Sequence, residues 1–113
     1  MKRGEIWVAD LNPPRGREIG KVRPALIMQS DDFSAIGPPM VIILPLTTKV
    51  YPRFTTWRVS VPARSRLLKG CQVVVDQPRA LDRKRFGEGP LAELAGAEMD
   101  SVERSLKAIL GML

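Results

Sequence analysis

The chain has 113 residues, with 18 Lys and Arg side chains against 12 Asp and Glu and a formal net charge of +6. It has no His and a single Cys, which excludes an intrachain disulfide, zinc sites built from Cys and His, and any mechanism that uses histidine. With 44% hydrophobic residues, a chain of this length predicts one folded domain over 1–113.

The amino-terminal segment reaches Glu5 and Asp10 before any apolar core forms, so it does not resemble a secretory signal. The longest uncharged stretch, residues 33–48, holds three prolines. It falls short of the roughly 20 apolar residues that a membrane-spanning helix needs. We therefore expect a cytoplasmic protein that makes no membrane contact.

Short apolar runs bounded by Pro and Gly predict five β-strands. They are residues 5–11, 25–28, 40–44, 57–61 and 72–76. Turn residues recur about every ten residues between these runs, which favours a small barrel or sandwich over alternating strands and helices.

The hydrophobic period changes only at the carboxyl-terminal end. From Ala97 onward, apolar residues fall at three- and four-residue intervals opposite a charged face. This spacing predicts one amphipathic helix that runs to about Gly111. The predicted fold class is therefore mainly β with a C-terminal helix.

Positive charge is concentrated in the middle of the chain. Residues 49–85 hold ten Lys and Arg against two Asp, and three aromatic residues, Tyr51, Phe54 and Trp57, are interleaved with them. This composition is expected of a surface that pairs phosphates and stacks bases, but an ordinary solvated face has it as well. On composition alone, nucleic-acid binding and a charged surface remain equal alternatives.

The acidic residues do not form a convincing metal site. Asp31 and Asp32 are adjacent, so on an extended backbone their side chains point to opposite faces and could not share one ion. Asp76, Asp82 and Lys84 resemble the pattern of some metal nucleases, but their spacing is loose and a basic loop explains them better. We therefore predict no metal site and no cofactor.

Three segments combine into a more specific pattern: EIGKVRP at 18–24, LPLTTK at 44–49 and VVVDQPRAL at 73–81. With the opening KRGEIWVADL and the closing helix, their order resembles the MazF/PemK (Kid) family of toxin endoribonucleases over nearly the whole chain. The resemblance implies a small SH3-like β-barrel of the PemK/CcdB type. It also implies a homodimer that cuts single-stranded mRNA without a metal, as the toxin of a type II toxin–antitoxin system.

The resemblance also implies which residues form the site. Arg23 and Thr47 match the family's catalytic pair, and Glu18 matches an acidic position in the first loop. The residues predicted to bind RNA are Arg17, Lys21, Thr48, Lys49, Arg53, Gln77, Arg79 and Arg83. Arg17 stands where many relatives have a serine, so the preferred RNA sequence stays open.

Chemistry assigns a role to each of the three catalytic candidates. Cutting RNA without a metal requires the ribose 2′-hydroxyl to attack its own phosphate, leaving a 2′,3′-cyclic phosphate and a 5′-hydroxyl. Arg23 suits the neutralisation of phosphate charge, and Glu18 is the best available base. The hydroxyl of Thr47 is too weakly acidic to be a base, so we assign it a positioning hydrogen bond. Spacing alone favours structural roles: Arg23 would neutralise Glu18 on a loop, and Thr47 and Thr48 would be ordinary residues at the end of a strand. The resemblance reverses that preference in favour of a catalytic site.

The basic middle block predicts a cognate antitoxin that is acidic and partly disordered, because a surface that holds phosphates also holds Asp and Glu. Two other functions remain open. A CcdB-like toxin of the same fold would bind gyrase without cutting nucleic acid, and a basic RNA-binding module would have no activity.

Overall fold

The computed structural model describes residues 1–49, 51–54 and 56–113. Within these ranges there are seven strands, two α-helices, and two short 3-10 helices at Pro52–Phe54 and Arg83–Arg85. The strands are β1 (Glu5–Asp10), β2 (Val22–Ile27), β3 (Met40–Thr47), β4 (Val59–Val61), β5 (Cys71–Val73), β6 (Arg79–Asp82) and β7 (Ala92–Glu93). The helices are α1 (Asp31–Ala35) and α2 (Gly96–Ile109).

The strands form one antiparallel sheet in the order β4-β5-β3-β2-β1-β7, and β6 pairs with β3 outside this path. β3 is long enough to have two partners along the same side: residues 40–43 pair with β6, and residues 46 and 47 pair with β5. Because the two halves of β3 follow different partners, the sheet curls into a half-barrel. The predicted class, mainly β with a C-terminal helix, is confirmed.

Apolar side chains are buried on both faces of the sheet. Leu26 of β2 joins the cluster under α2, whereas its neighbours Ala25 and Ile27 join a second cluster on the other face. A strand buried on both faces has a nearly continuous apolar sequence, which is why β2 and β3 lack a polar alternation.

Helix α2 closes one side of the barrel, as its spacing predicts. Met99 and Val102 are its buried residues and belong to the same apolar cluster as Leu26. At its start, the Ala95 backbone N–H donates to Glu98 Oε1 at 2.8 Å. Arg64 reaches both oxygens of that carboxylate, at 2.5 and 2.6 Å, and this hydrogen-bonded pairing lowers the pKa of Glu98.

The strand predicted at 25–28 begins earlier, at Val22, which places Arg23 inside β2. Pro24 is tolerated there because its partner Val8 does not need its N–H. The backbone N–H of Val8 donates to Glu88 O at 2.9 Å, and its carbonyl accepts from Gly87 N at 2.8 Å, both on the other side of β1. No helix among the described residues is long and apolar enough to cross a membrane.

Candidate active site

The register between β2 and β3 brings Arg23 and Thr47 together. Ala25 pairs with Pro45, so continuing this antiparallel register by two residues places Arg23 opposite Thr47. One terminal nitrogen of Arg23, Nη1, donates to Thr47 Oγ1 at 3.3 Å. The structure therefore brings the two residues of the predicted catalytic pair into contact.

The loop before β2 holds the Arg23 side chain in place. Arg23 Nε donates to the carbonyl of Gly20 at 2.7 Å. A side chain at position 20 would clash with Pro14, because an added Cβ would lie 2.6 Å from Pro14 Cγ. Glycine at this position therefore lets the loop pack closely enough to present its carbonyl to Arg23.

Thr47 has its hydroxyl fixed from two directions. The residue is only 5% exposed, and its Oγ1 accepts the backbone N–H of Lys49 at 3.1 Å as well as the Arg23 nitrogen. A hydroxyl can accept two hydrogen bonds and donate one. With both acceptor positions occupied, the capacity left to Thr47 is to donate its proton, for example to a phosphate oxygen.

This pair lies in a cleft of about 560 Å³ whose lining is strongly basic. Eleven of the described residues line it, and six of these are cationic. The lining consists of Arg17, Ile19, Lys21, Arg23, Thr47, Lys49, Tyr51, Arg53, Phe54, Arg58 and Gln77. A positively charged cleft of this kind concentrates anionic ligands.

Two aromatic rings form a wall of the cleft. Tyr51 and Phe54 meet edge to face, with their ring centroids 6.1 Å apart. Lys49 Nζ lies 5.2 Å from the Tyr51 ring, and the Arg53 guanidinium lies 5.3 Å from the Phe54 ring. Cations held against ring faces beside open aromatic surface are typical of sites that bind single-stranded nucleic acid.

Arg58 is a member of the cleft that we did not predict as a site residue. Its guanidinium lies 5.5 Å from the Tyr51 ring and 5.0 Å from the Phe54 ring, and its side chain is only 8% exposed. The alternation of basic and aromatic residues in the sequence was the available signal. It did not show that this arginine, unlike the others of the basic block, would be buried against the rings.

Glu18 lies outside the lining of the cleft that contains Arg23 and Thr47. Its Oε1 accepts the backbone N–H of Arg15 at 2.8 Å, within the same exposed loop. It lines a neighbouring cleft of about 360 Å³ together with Arg17, Gln77, Pro78 and Arg79. Arg17 and Gln77 line both clefts, so the cleft that Glu18 lines adjoins the one that contains Arg23 and Thr47.

Gln77 and Arg79 hold the first loop against the barrel. Gln77 Oε1 accepts the backbone N–H of Ile19 at 2.9 Å, and Arg79 Nη1 donates to the Ile19 carbonyl at 3.3 Å. Lys21 lines the main cleft, and its backbone N–H donates to Asn12 Oδ1 at 2.9 Å.

Two of the residues predicted to bind RNA do not line either cleft. Thr48 is exposed just beyond the end of β3. Arg83 follows β6, where its Nε donates to the carbonyl of Pro38 at 2.7 Å, near the opposite end of β3 from Thr47. The described residues contain no group of three or more His, Cys, Asp or Glu side chains that could hold a metal ion.

Comparison with known proteins identifies the family. A model described as "PemK-like, MazF-like toxin of type II toxin-antitoxin system" matches residues 2–110. The chain thus belongs to the PemK/MazF-like toxins of type II toxin–antitoxin systems.

Solved structures agree over nearly the full length of the chain. A MazF from Deinococcus radiodurans has a TM-score of 0.84 at 25% identity, with 99% of this chain and 97% of that chain covered. A MazE–MazF complex from the same organism has a TM-score of 0.76 at 26% identity, with 100% and 97% covered. An endoribonuclease from a mycobacterial species, solved in complex with its cognate antitoxin, has a TM-score of 0.77 with 100% and 97% covered. At 20% identity, this match shows a shared fold and nothing more.

Proposed function

We propose that this toxin is a metal-independent, sequence-selective endoribonuclease that cuts single-stranded mRNA. The site of cleavage is formed by Arg23 and Thr47. The observation that carries the proposal is the contact between Arg23 Nη1 and Thr47 Oγ1 at 3.3 Å, inside a basic cleft with an aromatic wall. Membership of the PemK/MazF-like toxins supports it, and a mycobacterial protein of the same fold is described as an endoribonuclease.

The reaction needs three tasks. Arg23 pairs the phosphate oxygens and neutralises the charge that builds on phosphorus when the 2′-hydroxyl attacks. Thr47 donates its hydroxyl proton in a hydrogen bond that positions the phosphate. Glu18 accepts the proton of the 2′-hydroxyl, which requires the first loop to bring it toward the catalytic pair once RNA is bound. As the bond between O2′ and phosphorus forms, the bond between phosphorus and the 5′-oxygen breaks, and the leaving 5′-oxygen takes a proton from water. The products carry a 2′,3′-cyclic phosphate and a 5′-hydroxyl.

RNA lies along the cationic lining with its bases against the rings. Arg17, Lys21, Lys49 and Arg53 are the RNA-binding residues within the cleft, and Gln77 lies at its wall. Arg79 supports the loop that closes one side. Thr48 and Arg83 bind RNA farther along, where the strand leaves the cleft.

The active species is a homodimer of single-domain subunits, and it acts in the cytoplasm, where its substrate is found. Exposed apolar side chains near the start of β3, Met40 and Ile42, support contact with a second copy. The natural inhibitor is a cognate acidic antitoxin that occupies the same cleft as RNA. Relatives solved with an antitoxin support this partner.

Incubation of the purified protein with a long single-stranded RNA in EDTA tests the function. Discrete fragments are expected from the wild type. Intact RNA that is bound would instead indicate a non-catalytic RNA-binding module, and gyrase inhibition without RNA cleavage would indicate a CcdB-like toxin.

A further inference from the structure

One buried polar side chain has no role in the site described above. Gln72, in the middle of β5, is fully buried, and neither its Oε1 nor its Nε2 has a hydrogen-bond partner among the described residues. An unpaired amide in a protein interior lowers stability, and such groups are rare. Because β5 pairs with β3 at Thr47, which lines the cleft, the hydrogen-bond partner of Gln72 is to be sought among the residues around the cleft.

The sheet register shows which way Gln72 faces. Its neighbours Cys71 and Val73 both belong to the apolar cluster under α2, so the Gln72 side chain lies on the opposite face of β5. Its antiparallel partners are Thr47 on β3 and Ser60 on β4. Paired residues share a face, so Gln72 is the cross-strand neighbour of Thr47 in the catalytic pair.

Arg58 carries the complementary group, a hydrogen-bond donor. It lies just before β4, two residues ahead of Ser60, which is the cross-strand partner of Gln72. Its Nε is buried and also has no hydrogen-bond partner among the described residues. Its ion pair with Asp76 Oδ1, at 3.7 Å, is too long for a hydrogen bond. A buried acceptor in β5 and a buried donor just before β4, in an arginine that lines the cleft, therefore both lack a hydrogen-bond partner among the described residues.

We propose that Gln72 is a positioning residue that acts through Arg58 when RNA is bound. Its Oε1 accepts the Nε–H of Arg58 and holds the guanidinium at the wall of the cleft, where it contacts the RNA phosphates. The inference rests on the proposed ribonuclease function. It assigns Gln72 to the binding of RNA and leaves the chemical step to Arg23 and Thr47.

Gln72→Met tests this role because it keeps the length of the side chain and removes the acceptor. The KM for a single-stranded RNA substrate is expected to rise about tenfold, as for the loss of one hydrogen bond to a charged group, while kcat changes less than about twofold. Resistance to urea is expected to stay the same or increase, because an unpaired buried amide has been replaced by an apolar group. A purely structural role would instead lower stability and move kcat together with KM.

A double-mutant cycle with Arg58→Met tests the partner. The double variant is expected to bind RNA no more weakly than Arg58→Met alone, since Gln72 acts only through Arg58. Cys71→Val, a neighbouring change on the opposite face of β5, is the matched control and should leave KM unchanged. If Gln72→Met fails to fold, Gln72→Leu replaces it in the cycle.

The same variants are compared for affinity to an oligonucleotide that carries a 2′-deoxy sugar at the cleavage position, so that binding is measured apart from cutting. Wild-type affinity in Gln72→Met, or losses that add independently in the double variant, would overturn the role of Gln72. A wild-type protein that binds RNA without cutting it would overturn the proposed function, and the affinity cycle would still decide the inference. A wild-type protein that does not bind RNA would overturn both.

Discussion

The Arg23 guanidinium is anchored by one nitrogen and contacts Thr47 with another. Nε is held by the Gly20 carbonyl and Nη1 meets Thr47 Oγ1, so its planar fork faces the cleft in a fixed orientation. A guanidinium whose orientation is fixed before the substrate arrives does not have to be ordered again when it binds a phosphate. Stabilisation of a charged transition state requires such a preorganised charge.

Arg23→Ala is expected to lower the rate of RNA cleavage on the order of 100-fold or more, because one charge-assisted contact to the phosphate is lost. Single-turnover cleavage of a defined RNA measures the change. Arg66→Ala, which removes an exposed arginine paired with Glu88 away from the cleft, is the matched control and should cut like the wild type. A fully active Arg23→Ala protein would remove this residue from the mechanism.

Thr47→Ala is expected to lower kcat more than RNA affinity, because the lost hydroxyl positions the reacting phosphate. Thr47→Ser should recover much of the rate, since it keeps the donor and both acceptor positions. Steady-state kinetics on the three proteins separates the two parameters. If serine performs no better than alanine, the methyl group and its packing are what the site requires.

Among the secondary-structure elements, α2 depends on a charged contact at its start. The carboxylate of Glu98 satisfies the Ala95 N–H and pairs with Arg64, and the Arg64 hydrogen bond lowers the pKa of Glu98. A group whose pKa is lowered by folding stabilises the fold above its unfolded pKa. That contribution is lost as the pH falls through the folded pKa.

Glu98→Gln is therefore expected to destabilise the protein by about 1 kcal/mol at neutral pH, a modest value because the pair is partly open to water. The difference from the wild type should shrink as the pH falls below the ordinary pKa range of a glutamate, and it should vanish below the lowered pKa of Glu98 in the folded protein, where the wild-type carboxylate is protonated as well. Urea unfolding at a series of pH values measures it. A difference that stays constant across this range would mean that the charge of Glu98 does not stabilise α2.

The elements differ in how far the sequence predicts them. β1, β3 and α2 follow from apolar runs and spacing, because each buries at least two residues of its own. β6 and β7 do not: β6 buries Leu81 alone, β7 has two residues, and both exist because a neighbouring strand offers them hydrogen bonds. α1 was also missed because it buries no residue at all and begins at a Ser30 cap.

The candidate site divides in the same way. Arg23 and Thr47 could be predicted because they stand within segments that resemble a known family. Arg58 and Gln72 could not be predicted as site residues. Their burial depends on how β4 and β5 curl against β3, and the local sequence does not determine that packing. The separation of Glu18 from the catalytic pair likewise depends on the path of the first loop.

At the scale of the whole molecule, we expect a homodimer. Light scattering at micromolar concentration should report about twice the subunit mass of 12.6 kDa. Ile42→Glu, at an exposed apolar residue near the start of β3, is expected to favour the monomer, whereas Leu68→Glu, at another exposed apolar residue, should not. A wild-type monomer would contradict the prediction, and a dimer that survives Ile42→Glu would place the contact elsewhere.

RNA and the acidic antitoxin are expected to exclude each other, since both need the basic cleft. Affinity for each should fall steeply with salt, and Arg53→Glu should weaken both. Binding by the Arg23→Ala protein, with and without the antitoxin across a salt series, measures this. Arg83→Glu tests whether the contact with RNA extends beyond the cleft. Simultaneous binding of RNA and antitoxin would place the antitoxin on another surface.

The central claim is that the catalytic pair in the cleft directs the ribose 2′-hydroxyl against its own phosphate. The most direct measurement uses an RNA with one preferred cleavage position, in EDTA, compared with the same RNA carrying a single 2′-deoxy sugar at that position. We expect the all-ribose RNA to be cut there to a 2′,3′-cyclic phosphate and a 5′-hydroxyl, while the substituted RNA stays intact at that position. Cleavage at the deoxy sugar would contradict it.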